Sequence, residues 1–212
     1  MTPVQIRREL LSTKVLENLN KRNITGYYAK TKEEAKAIAL SLVKDGEIIG
    51  FGGSKSLDEV GLIDALKEND SVKLLIRNAF DKPEEALRIS RETFFADCYF
   101  CSANAMTEDG ILVNVDANSN RVAAISFGPS KVILIVGMNK IEKDEQSALT
   151  RARNIAAPIN AQRFNIKTPC KTTGSCANCK SPETICCQIL TTRFSRHPNR
   201  MHVILVNEDL GF

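Results

Sequence analysis

Runs that are apolar at nearly every position alternate along this chain with segments that are apolar only every third or fourth residue. Residues 3 to 20 place Val4, Leu10, Leu11, Val15, Leu16 and Leu19 at helical spacing between charges, which predicts a leading helix packed as an appendage. "TKEEAKAIALSLVKDG" begins with Thr31, carries Glu34 three residues on and stops at Gly46, the pattern of a capped helix. The strand "EIIGF" follows, then a glycine–serine turn, and Ser56 with Glu59 repeats the capping box ahead of "LDEVGLIDALKEN". "SVKLLIRN" (71–78) predicts a strand, and Pro83 suits the opening turn of a helix in "KPEEALRISRETFFA". "CYFCSA", "ILVNVD", "KVILIVG" and finally "MHVILVN" predict four further strands.

Strands that are apolar throughout, instead of alternating, are covered on both faces. With helices interleaved between them, the expected class is α/β: three layers, with a mostly parallel central sheet flanked by helices. Periodicity fades between residues 156 and 199, where Pro, Thr, Ser, Asn and Cys accumulate. A structureless loop of that length is improbable in a compact domain unless something organises it. The last strand must still rejoin the sheet. Residues 156–199 therefore read as a Cys-rich insertion before the last strand, inside one domain spanning residues 1–212.

Composition adds compartment and charge. The 212 residues are 43% hydrophobic and 25% charged, ordinary for a globular chain able to bury a core. No apolar stretch approaches the roughly 20 residues that span a bilayer. Charges threaded through the N-terminal apolar positions argue against a signal peptide, so the expected location is cytoplasmic, with no membrane partner. In a reducing compartment the seven cysteines read as thiols, metal ligands or redox residues, not as disulfides. The net charge of +4 is unevenly spread: residues 151–202 hold nine Lys and Arg against the single acid Glu183. A basic segment of this kind points to an anionic partner or substrate, or to a plain solvated face.

Three stretches carry candidate chemistry. In "PCKTTGSCANCKSPETICCQIL", Cys170, Cys176, Cys179 and either Cys186 or Cys187 give C-x5-C-x2-C followed by a fourth thiol, a set of four from these five. Thiolates bind borderline and soft metals, and metal binding would also fold the insertion, so zinc, an iron–sulfur cluster and free thiols all stay open. Cys98 and Cys101 lie three apart in a strand, point to opposite faces, and read as core thiols. The polar loop "SANAMTEDGILVNVDANSNRVAAI" holds Ser102, Asn104, Glu108, Asn114 and Arg121, and such loops gather ligands beyond the strand ends of parallel sheets. Gly52, Gly53 and Ser54, between a strand and a helix, would face the same ligand, a small carboxylate or phosphorylated anion. "GFGGS" lacks the G-x-G-x-x-G spacing, so no nucleotide cofactor is expected.

"FGGSKSLDEVGLIDAL", "ADCYFCSANAMTEDGILVN", "RVAAISFGPSKVILIVGMNKI" and "HVILVNEDLGF" together resemble the LUD domain of the lactate-utilisation family, over roughly residues 10 to 212. The resemblance implies a fold similar to ribose-5-phosphate isomerase and the CoA transferases. It also implies a role in oxidation of L-lactate to pyruvate, as an accessory or small-anion-binding subunit working with iron–sulfur redox partners. In CoA transferases of that fold a glutamate in an E-x-G setting attacks the thioester, and Glu108 with Asp109 and Gly110 stands in a comparable element. A transferase- or isomerase-like enzyme using Glu108 is thus the alternative. A third reading is a nucleic-acid or redox-partner module on the basic insertion, where "RFSRHPNRMH" supplies Arg193, Arg196, His197 and Arg200 beside Phe194. It lacks any recognisable nucleic-acid motif and ranks below the other two. His197 and His202 read as surface or core residues, and homo-oligomerisation stays open.

Overall fold

The runs apolar on both faces become the inner strands of one parallel sheet. The computed structural model describes residues 1–77 and 82–212. A long helix α1 (Pro3–Lys21) leads into β1 (Thr25–Ala29), α2 (Lys32–Ser41), β2 (Ile48–Phe51), α3 (Lys55–Val60), α4 (Leu62–Lys67), β3 (Lys73–Leu75) and α5 (Pro83–Glu92). Then come β4 (Cys98–Cys101), β5 (Ala105–Thr107), β6 (Leu112–Asp116), α6 (Asn120–Ser126), β7 (Lys131–Gly137) and β8 (Ile141–Glu142). The chain closes with α7 (Glu145–Arg151), a π-helical turn, α8 (Ala157–Ala161), α9 (Pro169–Thr173), β9 (Gln188–Thr192) and β10 (Met201–Val206).

Six strands in the order β1-β10-β7-β4-β2-β3, all parallel, make the central sheet. Alternation along β7 divides the core in two. Val132, Leu134 and Val136 pack with Val15 and Leu19 of α1 and with Ala124 and Ile125 of α6. Ile133 and Ile135 pack on the other face with Ala35 and Ala39 of α2, Leu57 of α3, and Leu62 and Leu66 of α4. This is the three-layer α/β arrangement expected from the sequence. Cys98 and Cys101 enter opposite cores, and burial pushes both thiols up to about 12.

Several elements differ from expectation, each for a physical reason. Helix α1 is no appendage, because Val15 and Leu19 are fully buried under the sheet. "ILVNVD" does not join the central sheet: β6 pairs antiparallel with β5 and β9 in a second sheet ordered β8-β5-β6-β9. The turn at 107–110, with Gly110 at φ +84, reverses the chain before it can cross over to the central sheet. Helix α3 is capped by Ser54, which accepts from the Leu57 N–H, and not by Ser56. The expected long helix after it breaks at Gly61, where φ is +67. Of the expected strand 71–78, residues 73–75 form β3, and Asn78 lies outside the described residues. Among the described residues no helix is long and apolar enough to cross a membrane.

Candidate functional site

Strands β2, β4 and β7 end side by side at one edge of the central sheet, and residues 52–54, 102–104 and 138–140 leave from those ends. In parallel sheets this edge is where ligands settle. A cavity of about 830 Å³ opens here, lined among others by Gly53, Ser54, Ser56, Ser102, Asn104, Arg121 and Lys140. Its charged lining is lopsided: Lys55, Arg77, Arg121, Lys140 and Arg163 against Asp116, among the described residues.

Lys140 is the most perturbed of these groups. Its residue is 3% exposed, and its Nζ donates to Ser56 Oγ at 3.0 Å and Ser102 Oγ at 3.1 Å. Burial, followed by the positive charges of Arg151 and Arg121, pulls its pKa down from 10.5 to about 7. Both serines accept from the ammonium without neutralising it; among the described residues it has no ion-pair partner, and the Glu59 charge offsets only part of its burial. The chain end closes over this pair. Gly211 has φ +55, and a Cβ there would lie 2.8 Å from Ser56 Oγ and 3.3 Å from Lys140 Nζ. Its N–H donates to the Glu59 carboxylate at 2.8 Å, which anchors the "DLGF" segment.

Arg121 is positioned rather than free. Its guanidinium donates to Ser102 O at 3.1 Å and Asn104 Oδ1 at 2.7 Å, and also to Val115 O. Asp116 accepts the N–H groups of Asn118, Ser119, Arg121 and Val122, capping the start of α6 and fixing the arginine's backbone. Those four bonds saturate the carboxylate, so its charge is turned to the backbone as well as to the cavity. Gly52 lies beneath the lining, where a Cβ would meet Tyr99 Oη at 2.8 Å and Arg121 Cδ at 3.2 Å. Its lack of a side chain admits Arg121 instead of touching a ligand.

The structure thus brings Gly53, Ser54, Ser102, Asn104 and Arg121 to one cavity, with Gly52 as its support. Asn114 is fully buried on β6, outside the lining, and neither atom of its amide has a hydrogen-bond partner among the described residues. Glu108 is placed elsewhere. It sits on the β5–β6 turn, outside the cavity, accepting from Lys14 Nζ at 2.7 Å and Lys143 Nζ at 3.0 Å. Those two bonds hold its carboxyl below the usual carboxylate range. A carboxylate clasped by two ammonium groups is a weak nucleophile, and none of the residues around Lys140 faces it.

The cysteines form a second constellation. Cys170, Cys176, Cys179 and Cys186 line a cavity of about 190 Å³ together with Arg153, Ala157, Pro158 and Ile185. Burial and the three neighbouring thiols push Cys186 up to about 11. Cys187 is exposed and turns away, its Sγ donating to Thr184 O at 3.4 Å. Among the described residues no three His, Cys, Asp or Glu side chains form a ligand set for a single metal ion. Ile185 lines both cavities, so the two are back to back. In the basic segment, Arg200 donates to the carbonyls of Ala124, Ile125 and Pro129, closing the end of α6. It therefore serves the fold and not an external anion. His202 is buried, bonded to Tyr27 Oη and Asn199 O.

The sequence reading missed Ser56, Lys140, Arg163 and Gly211. A signal for Lys140 existed: it lies just past the end of the most apolar strand, "KVILIVG", where the strand-end rule places ligands.

A family model described as the LUD domain matches residues 12–206. A search of curated proteins returns no match. Among solved structures, the chain is similar to a DUF162 family protein from Deinococcus radiodurans, with a TM-score of 0.54 at 14% identity, covering 94% of this chain and 98% of that one. It also aligns with eIF2B delta from Chaetomium thermophilum, with a TM-score of 0.35 at 20% identity, covering 57% of this chain and 54% of that one.

Proposed function

The chain belongs to the LUD-domain family, and from that premise we propose that it binds a small organic-acid anion, carboxylate or phosphorylated, in the cavity at the strand ends. In this reading it is the anion-binding subunit of a lactate-to-pyruvate type of organic-acid utilisation. The observation that carries the reading is Lys140: an ammonium 3% exposed, hydrogen-bonded to two serine hydroxyls, facing a cavity rich in arginine. A buried cation that Glu59 offsets only in part is unfavourable, and an anion supplies a closer partner. Arg121, its guanidinium held by Ser102 O, Asn104 Oδ1 and Val115 O, adds positive charge to the cavity wall. Ser56, while accepting from Lys140, keeps its own hydroxyl proton to donate. The volume of about 830 Å³ lies within the roughly 300–1,000 Å³ range of small-molecule sites.

Calorimetry and thermal shift of the full chain with lactate, pyruvate, a sugar phosphate, CoA and inorganic phosphate test this. At least one anion is expected to raise the melting temperature, and Lys140→Met to abolish that rise. Failure of every anion to shift the melting temperature sinks the reading.

A second reading, proton transfer on the bound acid, is favoured by the same lysine, because an amine titrating near 7 is matched to base work at neutral pH. It replaces Glu108 with Lys140 as the reacting group. Exchange of a substrate C–H for solvent deuterium would support it, and no exchange by a chain that binds the acid would reject it.

A further inference from the structure

Four sulfurs from three separate stretches meet in the insertion. Cys170 sits on α9, Cys176 and Cys179 on the loop after it, and Cys186 just before β9. They line a void of about 190 Å³, whose remaining walls include Ala157, Pro158, Ile185 and Ile189. A single zinc ion holds its thiolates at about 2.3 Å and leaves no void between them. One water needs only about 10–15 Å³. The cavity these four cysteines help to line is thus more than ten times what one water requires.

Donors and charge suit a thiolate-bound group whose net charge, ligands included, is negative. The Arg153 guanidinium lies 4.0 Å from Cys176 Sγ and is held in place by Asn178 Oδ1. Thr168 Oγ1 lies 3.4 Å from Cys170 Sγ. Donors to ligating sulfurs and a nearby cation are the features that stabilise a thiolate-bound cluster and set its potential. Apart from Arg200, which closes the end of α6, eight Lys and Arg against one acid across residues 151–202 supply the opposite sign.

We propose that Cys170, Cys176, Cys179 and Cys186 hold a four-iron iron–sulfur cluster that organises the insertion, with Cys187 outside the ligand set. Each ligating thiol gives up its proton as the iron–sulfur bond forms, and the cluster is delivered preassembled, or built from two ferrous ions, two ferric ions and four sulfides, so that no net electron transfer is needed. Through Ile185 the cluster site backs onto the strand-end cavity, but the proposal stands whatever occupies that cavity.

The test is metal and sulfide analysis of the full chain purified without oxygen, or reconstituted anaerobically with equal amounts of ferrous and ferric iron and with sulfide. The expected result is iron and acid-labile sulfide in equal amounts, about four of each per chain, with a broad visible absorbance that dithionite bleaches. Cys170→Ser, Cys176→Ser, Cys179→Ser and Cys186→Ser should each lose most of the iron, and Cys187→Ser should keep it. Since ligand variants can misfold, alkylation of the unmutated chain gives a second readout. With iron bound, Cys187 should label quickly and the other four insertion thiols only after the cluster is stripped. Stoichiometric zinc without iron overturns the proposal, as does failure of the chain to take up iron and sulfide, or equal labelling of all five thiols in the iron-loaded protein.

Discussion

Replacing Lys140 by methionine separates the electrostatic burden of the cavity from its binding role. Methionine nearly matches the lysine stem in length and carries no charge, so the packing of the stem is largely kept. Burial and two neighbouring arginines lower the lysine pKa from 10.5 to about 7. At about 1.4 kcal/mol per unit, the buried charge opposes folding by roughly 5 kcal/mol at low pH. Against this, Ser56 and Ser102 each lose a donor, at about 1 kcal/mol apiece. The net gain for Lys140→Met is therefore about 3 kcal/mol near pH 6. The sign with pH follows from linkage. Between about 7 and 10.5 the unfolded lysine binds a proton that the folded one does not, so the stability of the unaltered chain rises with pH across that window. The penalty is complete below about 7 and gone above 10.5, so the advantage of the variant shrinks as pH rises and turns into a deficit of about 2 kcal/mol. Urea unfolding followed by circular dichroism at three pH values across this range measures it. A stability difference that is flat with pH, or a variant already destabilised near pH 6, would refute the account of Lys140 as a buried, unpaired cation.

Other perturbations separate the cavity from the scaffold. Gly211→Ala should lower stability by about 1–3 kcal/mol in urea unfolding and weaken any anion-induced rise in melting temperature, since its Cβ would lie 2.8 Å from Ser56 Oγ in a left-handed backbone. Arg200→Ala removes bonds to three carbonyls around the end of α6 and should cost about 3 kcal/mol in the same assay, with the ligand-induced shift intact. Glu108→Gln should leave that shift unchanged, because the carboxylate lies outside the cavity; loss of the shift would show that the turn reaches the ligand. Anion affinity should fall by up to tenfold per pH unit above about 7, with proton uptake on binding seen by calorimetry in two buffers of different ionisation heat.

The central sheet was legible because full burial leaves a direct mark on sequence. "KVILIVG" and "MHVILVN" are apolar on both faces, and β7 and β10 are adjacent inner strands, sending alternate residues to each core. β6 shows where that signal stops. All its residues are buried, as are all but the first of β7, yet it belongs to the second sheet. Periodicity reports that a strand is covered, and pairing depends on what reverses the chain next to it, here the turn at Gly110. β1, with Gly26 and two half-buried tyrosines, carries too little apolar contrast to be read as an edge strand at all.

The site was legible where function is local and silent where it is assembled over distance. Gly53, Ser54, Ser102 and Arg121 stand in short stretches whose polarity breaks an apolar run, and they reach the cavity from adjacent strand ends. The Lys140–Ser56 contact joins residues 84 apart, and Gly211 seals it from the other end of the chain. The polarity of "GMNKIEK" does not distinguish which of its three charged residues, Lys140, Glu142 and Lys143, is buried. The distinction arises because Lys140 follows β7 directly and the sheet places that strand next to β4, so that its amine must enter the space between Ser56 and Ser102. Glu108 had the opposite history: a motif-like E-x-G setting made it conspicuous, yet the second sheet carries it to a turn where Lys14 of α1 and Lys143 after β8 hold it. Motif spacing specifies the local turn, and the partners that decide the chemistry of a carboxylate come from elements the spacing does not describe.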